Sequence, residues 1–140
     1  MSKYYKFNNF LEAQVSHFNN ALKEIQSGLK LTHWMWFIFP QFYGLGNSHM
    51  SITYSIKSIE EAKAYFNHDV LGKRLIKITE AFYEINNKSA FEILGTPDDF
   101  KLKSCMTLFD AIQDETDLFD KVLNKYFSGD RCQKTIQLLK

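Results

Sequence analysis

Leu11, Val15, Phe18, Leu22, Ile25 and Leu29 recur at spacings of 4, 3, 4, 3 and 4. That rhythm places six apolar side chains on one face of an α-helix and on no single face of a strand. Leu71, Leu75, Ile78, Phe82 and Ile85 repeat it at 4, 3, 4 and 3. Two such stripes must each be buried against something, so the chain is expected to build its core by packing helices on helices. Strand-like alternation is hard to find anywhere in the sequence.

Start and stop signals divide the remainder. Asn8 or Asn9 can cap the first helix, and Gly28 stands where a left-handed stop belongs. Asp69 opens the second stripe. Ser58 with Glu61 and Ser89 with Glu92 have the spacing of capping boxes, each serving two amides left open at a helix start. Thr96-Pro97-Asp98-Asp99 places a cap, a proline at the first helical position and carboxylates in the first turn. That helix is expected to reach Ile112, burying Leu102, Met106, Phe109 and Ile112. Another carries Leu118, Val122 and Tyr126 and stops near Gly129; a last one begins at Asp130 and buries Cys132, Ile136 and Leu139.

One segment breaks the pattern. His33 to Ser48 holds seven aromatic rings, counting His33, around Pro40, Gly44 and Gly46. Its apolar run, Trp34 to Phe39, is short enough to be a buried strand or a buried helical turn, and far too short to span a membrane. The expected architecture is therefore all-α, a single domain over residues 1–140 with helices packed orthogonally and one irregular aromatic-rich segment at 33–48. A chain of 140 residues suits one core.

Charge and cysteine use narrow the function classes. Seventeen Lys and Arg against sixteen Asp and Glu leave a net charge of +1, without the basic excess of a dedicated nucleic-acid binder. Cys105 and Cys132 show no CxxC or Cys–His spacing, and His17, His49 and His68 no HxH or HxxxH spacing, so neither a metal site nor a cofactor is expected. The polar, aromatic N-terminus has no leader-like apolar stretch, and a reduced, cytoplasmic protein is expected.

The candidate chemistry gathers in two places. Around the aromatic segment, Trp34 and Trp36 either fill the core or offer an indole face to a planar ligand, with Gln41, Ser48 and Tyr54 as polar company. His33 is the acid–base candidate there. Gly44-Leu45-Gly46-Asn47-Ser48 reads as a loop ending in an N-cap serine or as a cradle for an anion. The second cluster is Asp98, Asp99 and Lys101: the carboxylates answer the helix dipole, or Asp98 serves as a base while Lys101 holds an anion. Cys105 shares that helix face and is read as a buried thiol. Arg74 pairs with a carboxylate of its own fold or clamps a phosphate. The proposed site requires the aromatic segment to meet the Asp98–Lys101 cluster across more than 60 residues of chain.

His33 through Tyr54 (HWMWFIFPQFYGLGNSHMSITY) resembles the signature of the bacterial family called domain of unknown function 1810. Further matches follow in order at Ser58–Ala62, Leu71–Leu75 and Ile93–Leu102, then at Met106–Phe109 and Tyr126–Gly129, so the resemblance spans nearly the whole chain. Asp69 departs from the family's usual proline and Cys105 from its usual serine. The resemblance implies a small, stand-alone, predominantly α-helical domain and brings no assigned activity. A more distant likeness runs to the helical NADAR domains linked to NAD and ADP-ribose metabolism, some of which cleave N-glycosidic bonds. It implies an aromatic shelf for the base (Trp34 or Trp36), a carboxylate for the ribose (Asp98 or Asp99) and an anchor for phosphate (Lys101 or Arg74).

The functional expectation is a small-molecule binder for a nucleotide-like or ADP-ribose-like ligand, with N-glycoside hydrolysis as a possible activity. The rival expectation is a non-catalytic interaction module that uses the aromatic segment as its anchor.

Overall fold

The computed structural model describes residues 5–112 and 115–140. The protein is predominantly α-helical, with 65% of the described residues in helices and 3% in strands. The first stripe forms α1 (Asn8–Ser27), and Gly28 ends it at φ 84°, its N–H bonded to the carbonyls of Glu24 and Ile25. The buried face is turned from the one the stripe suggests. Phe10, Gln14, Phe18, Ala21 and Ile25 point inward, Leu11 and Leu22 lie at the margin, and Val15 is 76% exposed, with Leu29 exposed as well. Gln14 takes a core position because its amide has partners there: Nε2 donates to the Phe37 carbonyl (2.7 Å) and the Tyr65 hydroxyl (3.1 Å). Neither Asn8 nor Asn9 caps α1. Phe7 occupies that position, and Asn9 Nδ2 donates instead to the Thr53 carbonyl.

The second stripe forms α5 (Leu71–Tyr83) and buries Leu71, Leu75, Ile78 and Phe82. His68, not Asp69, serves its first amides: Nδ1 accepts from the N–H of Val70 (3.1 Å) and of Leu71 (3.2 Å). The preceding helix, α4 (Ile59–Asn67), lies so close that a Cβ on Gly72 would stand 1.9 Å from the Phe66 carbonyl oxygen. Only glycine permits that contact.

The capping boxes are half and wholly realised. Ser58 caps α4 through the Glu61 N–H, but the Glu61 carboxylate reaches back to Lys57 rather than to the cap itself. Ser89 and Glu92 make the complete reciprocal pair at α6 (Ala90–Leu94). The helix α7 (Asp98–Ala111) has Pro97 in the capping position instead of inside the first turn, and it buries the four apolar residues expected of it or of its end. Across it packs α8 (Leu118–Phe127), closed by left-handed Ser128 at φ 55°. The final helix, α9 (Gln133–Leu139), starts three residues after Asp130, and its fully buried contact is Thr135, with Cys132, Ile136 and Leu139 half-buried.

The irregular segment resolves into short pieces. One helical turn, α2 (Met35–Ile38), leads through buried Pro40 to β1 (Gln41–Phe42). After the glycine loop comes α3 (His49–Thr53), then β2 (Ser55–Ile56), paired parallel to β1 with Gln41 opposite Ser55. Two-residue strands are too short to show an alternating pattern. Their effect is to fix the outer edge of the aromatic segment against α7, which packs on β1.

Candidate functional site

A cleft of about 230 Å³ opens between the aromatic segment and the start of α7. The first wall is Trp36 from α2, Gln41 and Phe42 from β1, Leu45 and Gly46 from the loop, Ser51 from α3, and Tyr54; the opposite wall is Pro97, Phe100, Lys101 and Ser104. The second set sits at offsets 0, 3, 4 and 7, one face of a helix and of the residue that caps it.

The inner anchor of this site is a carboxylate ten residues before the aromatic run. Glu24, on α1, is buried, and its oxygens accept from five donors: the N–H groups of Leu31 and Thr32, the Thr32 hydroxyl, Asn20 Nδ2 and Trp34 Nε1 (2.8 Å). Burial alone would push its pKa up; the hydrogen bonds from Thr32, Leu31 and Trp34 outweigh that and bring it down to about 2. Trp34 is thereby held in the core, and the turn that follows it is fixed. Gln14 secures the same turn from below through the Phe37 carbonyl. Trp36, two residues on, emerges half-buried on the cleft side.

Charge enters through α7. Asp98 receives two ammonium groups, Lys30 Nζ at 2.9 Å and Lys101 Nζ at 3.2 Å, one on each oxygen. The three side chains are only 9%, 17% and 16% exposed for Lys30, Lys101 and Asp98. Each lysine also faces a tryptophan: Lys101 Nζ lies 3.7 Å from the Trp36 ring centre, and Lys30 Nζ 5.2 Å from that of Trp34. Two cations on one anion leave this trio with one net positive charge, steadied by two indole faces. Tyr54 is braced by ring contacts to Phe10 and Phe37, with centres 5.6 and 5.3 Å away.

The aromatic segment and the Asp98–Lys101 cluster therefore meet, through Trp36 and not through His33. Of the residues singled out in the sequence, Trp36, Gln41, Tyr54 and Lys101 line the cleft. Asp98 stands behind Lys101 as its counter-ion. His33 is exposed on the loop before α2 and lies outside the cleft wall. Trp34 has its ring committed to the core and its N–H to Glu24. Ser48 caps α3 by accepting from the Ser51 N–H, and Ser51 faces the cleft in its place. Arg74 pairs with no carboxylate among the described residues; its Nη1 donates to Gln14 Oε1, and its guanidinium rests 5.5 Å from the Phe18 ring. Cys105 is fully buried, and burial pushes its thiol pKa well up.

Phe100 and Ser104 were missed in the sequence, although their helical spacing from Lys101 was the signal that finds them. Leu45 and Gly46 belong to the glycine loop singled out in the sequence, whereas Ser51 had no such signal. Among the described residues no three His, Cys, Asp or Glu side chains converge as a metal site, and no helix is long and apolar enough to cross a membrane.

A family model described as Protein of unknown function (DUF1810) matches residues 4–139. The chain is also similar to a crystal structure of the conserved hypothetical protein Rv1873 from Mycobacterium tuberculosis, with 42% identity, a TM-score of 0.92 and 94% of each chain covered. No curated protein matches it.

Proposed function

We propose that this chain, which belongs to the DUF1810 family of proteins of unknown function, is a small-molecule binding domain whose ligand joins a flat, nucleobase-like ring to an anionic group. The observation that carries the reading is the Lys101 ammonium, seated on Trp36 in a concave wall and sharing with Lys30 the one carboxylate it pairs with among the described residues. A cation short of its full counter-charge, beside an indole, a tyrosine and the Gln41 amide, is what an anionic planar ligand needs.

Size restricts the ligand. Drug-sized sites occupy roughly 300–1,000 Å³, and this cleft offers about 230 Å³. It takes a base with its ribose or phosphate, and leaves the second half of a dinucleotide or of ADP-ribose in solvent. Composition of the wall favours binding over catalysis. Its described residues include no carboxylate and no imidazole, and Asp98 is engaged by two lysines. Cleavage of an N-glycoside requires a carboxylate at the sugar, so the hydrolase reading draws no support from the cleft. Two free thiols suit a reducing, cytoplasmic setting.

The interaction-module reading rests on Phe100, which is 62% exposed at the rim. Titration calorimetry against nucleosides, mononucleotides, NAD and ADP-ribose separates the two. The binding reading expects one nucleotide class to bind, with Lys101→Met and Trp36→Ala each lowering affinity about tenfold or more, and His33→Ala and Arg74→Ala leaving it unchanged. Absence of binding across the panel, or loss of binding in His33→Ala with Lys101→Met unaffected, overturns it.

A further inference from the structure

We propose that Asp98 sets the charge of the ligand: by neutralising one of two ammonium groups it leaves a single positive charge at the cleft, which selects a planar ligand bearing one negative charge over its doubly charged counterpart. The proposal rests on the binding reading above and specifies the anion for that same site.

Charges must balance at this cleft, and few are present there. Lys101 is the one ionised side chain among the described residues that line the cleft. Lys30 contributes to the field from behind, but its ammonium is tied to Asp98 and it is not part of the wall. Asp99, next to Asp98, has no ion pair among the described residues and accepts from the Phe100 N–H in the first turn of α7. The positive end of the α7 dipole is met by Asp99, while the charge of Asp98 is committed to the two ammonium groups. With side chains 9–17% exposed, water screens the trio poorly, so the charge left over after pairing is felt at the cleft.

A monoanion, such as a phosphodiester or a carboxylate, balances that surplus. A phosphomonoester at its second ionisation brings a charge that finds no partner among apolar and neutral neighbours, and an unpaired charge against such a wall is expensive. Asp98 also makes the selection adjustable. Its removal frees a second ammonium without altering any side chain of the wall.

The experiment uses nucleoside 5′-phosphates and their methyl esters, which share one geometry and differ by one charge, with the parent nucleosides as neutral controls. All four common bases are titrated at pH 8, where a monoester with a second pKa near 6 is a dianion. For the unmodified protein, the methyl ester should bind on the order of tenfold more tightly than the monoester. Asp98→Asn should cancel or reverse that ratio. Lys30→Met, a change outside the wall, should shrink the advantage of the methyl ester over the nucleoside. Tighter binding of the monoester to the unmodified protein overturns the proposal, as does an equal loss of both ligands in Asp98→Asn. The unmodified ratio needs no variant, so it decides the matter even where a variant fails to fold. No binding of any ligand instead overturns the binding reading itself.

Discussion

Trp34 and Trp36 stand two residues apart on the same turn, each faced by a lysine, and they belong to opposite regimes. On the inner side every polar group is claimed: Glu24 takes five donors, and the Trp34 N–H is one of them. On the outer side the accounts are left open. Trp36 is half-exposed, its lysine shares a carboxylate, and the neighbouring Gln41 amide lines a cleft. A saturated network specifies one structure, because any rearrangement leaves a buried group unpaired. An unsaturated one beside it is where a ligand gains something by arriving. The lesson is that aromatic content alone does not mark a site; the satisfaction of the groups around each ring does.

The sharpest way to break this contrast is to remove the rings in turn. Trp34→Ala empties a fully buried position and deprives Glu24 of a donor, so about 3–5 kcal/mol of stability should be lost. Trp36→Ala removes a half-exposed ring and one partly desolvated cation–π contact, a smaller loss of about 1–2 kcal/mol. Urea unfolding followed by circular dichroism gives both numbers. Equal losses would mean that the two sides of the turn are not different in kind.

A smaller effect comes from protonating the inner hub. Glu24 titrates at about 2 in the folded protein against an ordinary value of 4.5. Its folded pKa is depressed, so the stabilisation it confers is complete above about 4.5 and fades as pH falls from there towards about 2. Glu24→Gln should therefore be less stable than the parent at pH 7, and the gap should close over that acidic interval. A gap that stays constant down to pH 2 would show that the hydrogen bonds to Glu24 do not depend on its charge.

How much of this was legible follows from which forces are local. The helices were, because spacing, caps and glycine stops act within a few residues. The buried face of α1 was not. Whether Gln14 or Val15 points inward depends on the Phe37 carbonyl and the Tyr65 hydroxyl, which are distant in sequence. The same holds for the site. Trp36 and Lys101 could be named from residue type, and Phe100 and Ser104 follow from Lys101 by helical offset. Nothing in HWMW distinguishes its first tryptophan from its second. Only the buried carboxylate on α1 does that, and a glutamate on an amphipathic helix reads as a solvent-facing residue. His33 attracted attention by standing next to the tryptophans, yet adjacency in an irregular turn sends successive side chains to different places.

The smallest expected effect concerns the cysteines, which repeat the inner–outer division. Cys105 is fully buried, and its raised pKa keeps it a neutral thiol. Cys132 is half-buried just behind the cleft; burial raises its pKa, but the Ser104 hydroxyl, donating to Sγ at 3.2 Å, and the amides of Thr135 and Lys134 bring it below its ordinary value. Iodoacetamide at pH 7.5 should therefore label Cys132 in the folded protein and spare Cys105, as read by mass spectrometry of peptides. Ser104→Ala removes one donor and raises the Cys132 pKa. Each unit of rise cuts the thiolate fraction about tenfold but makes the remaining thiolate roughly threefold more nucleophilic, so labelling should slow by about threefold per unit. Faster labelling in that variant would mean that Ser104 shields the sulfur more than it activates it, and that the wall of the cleft, not its hydrogen bonding, governs access to Cys132.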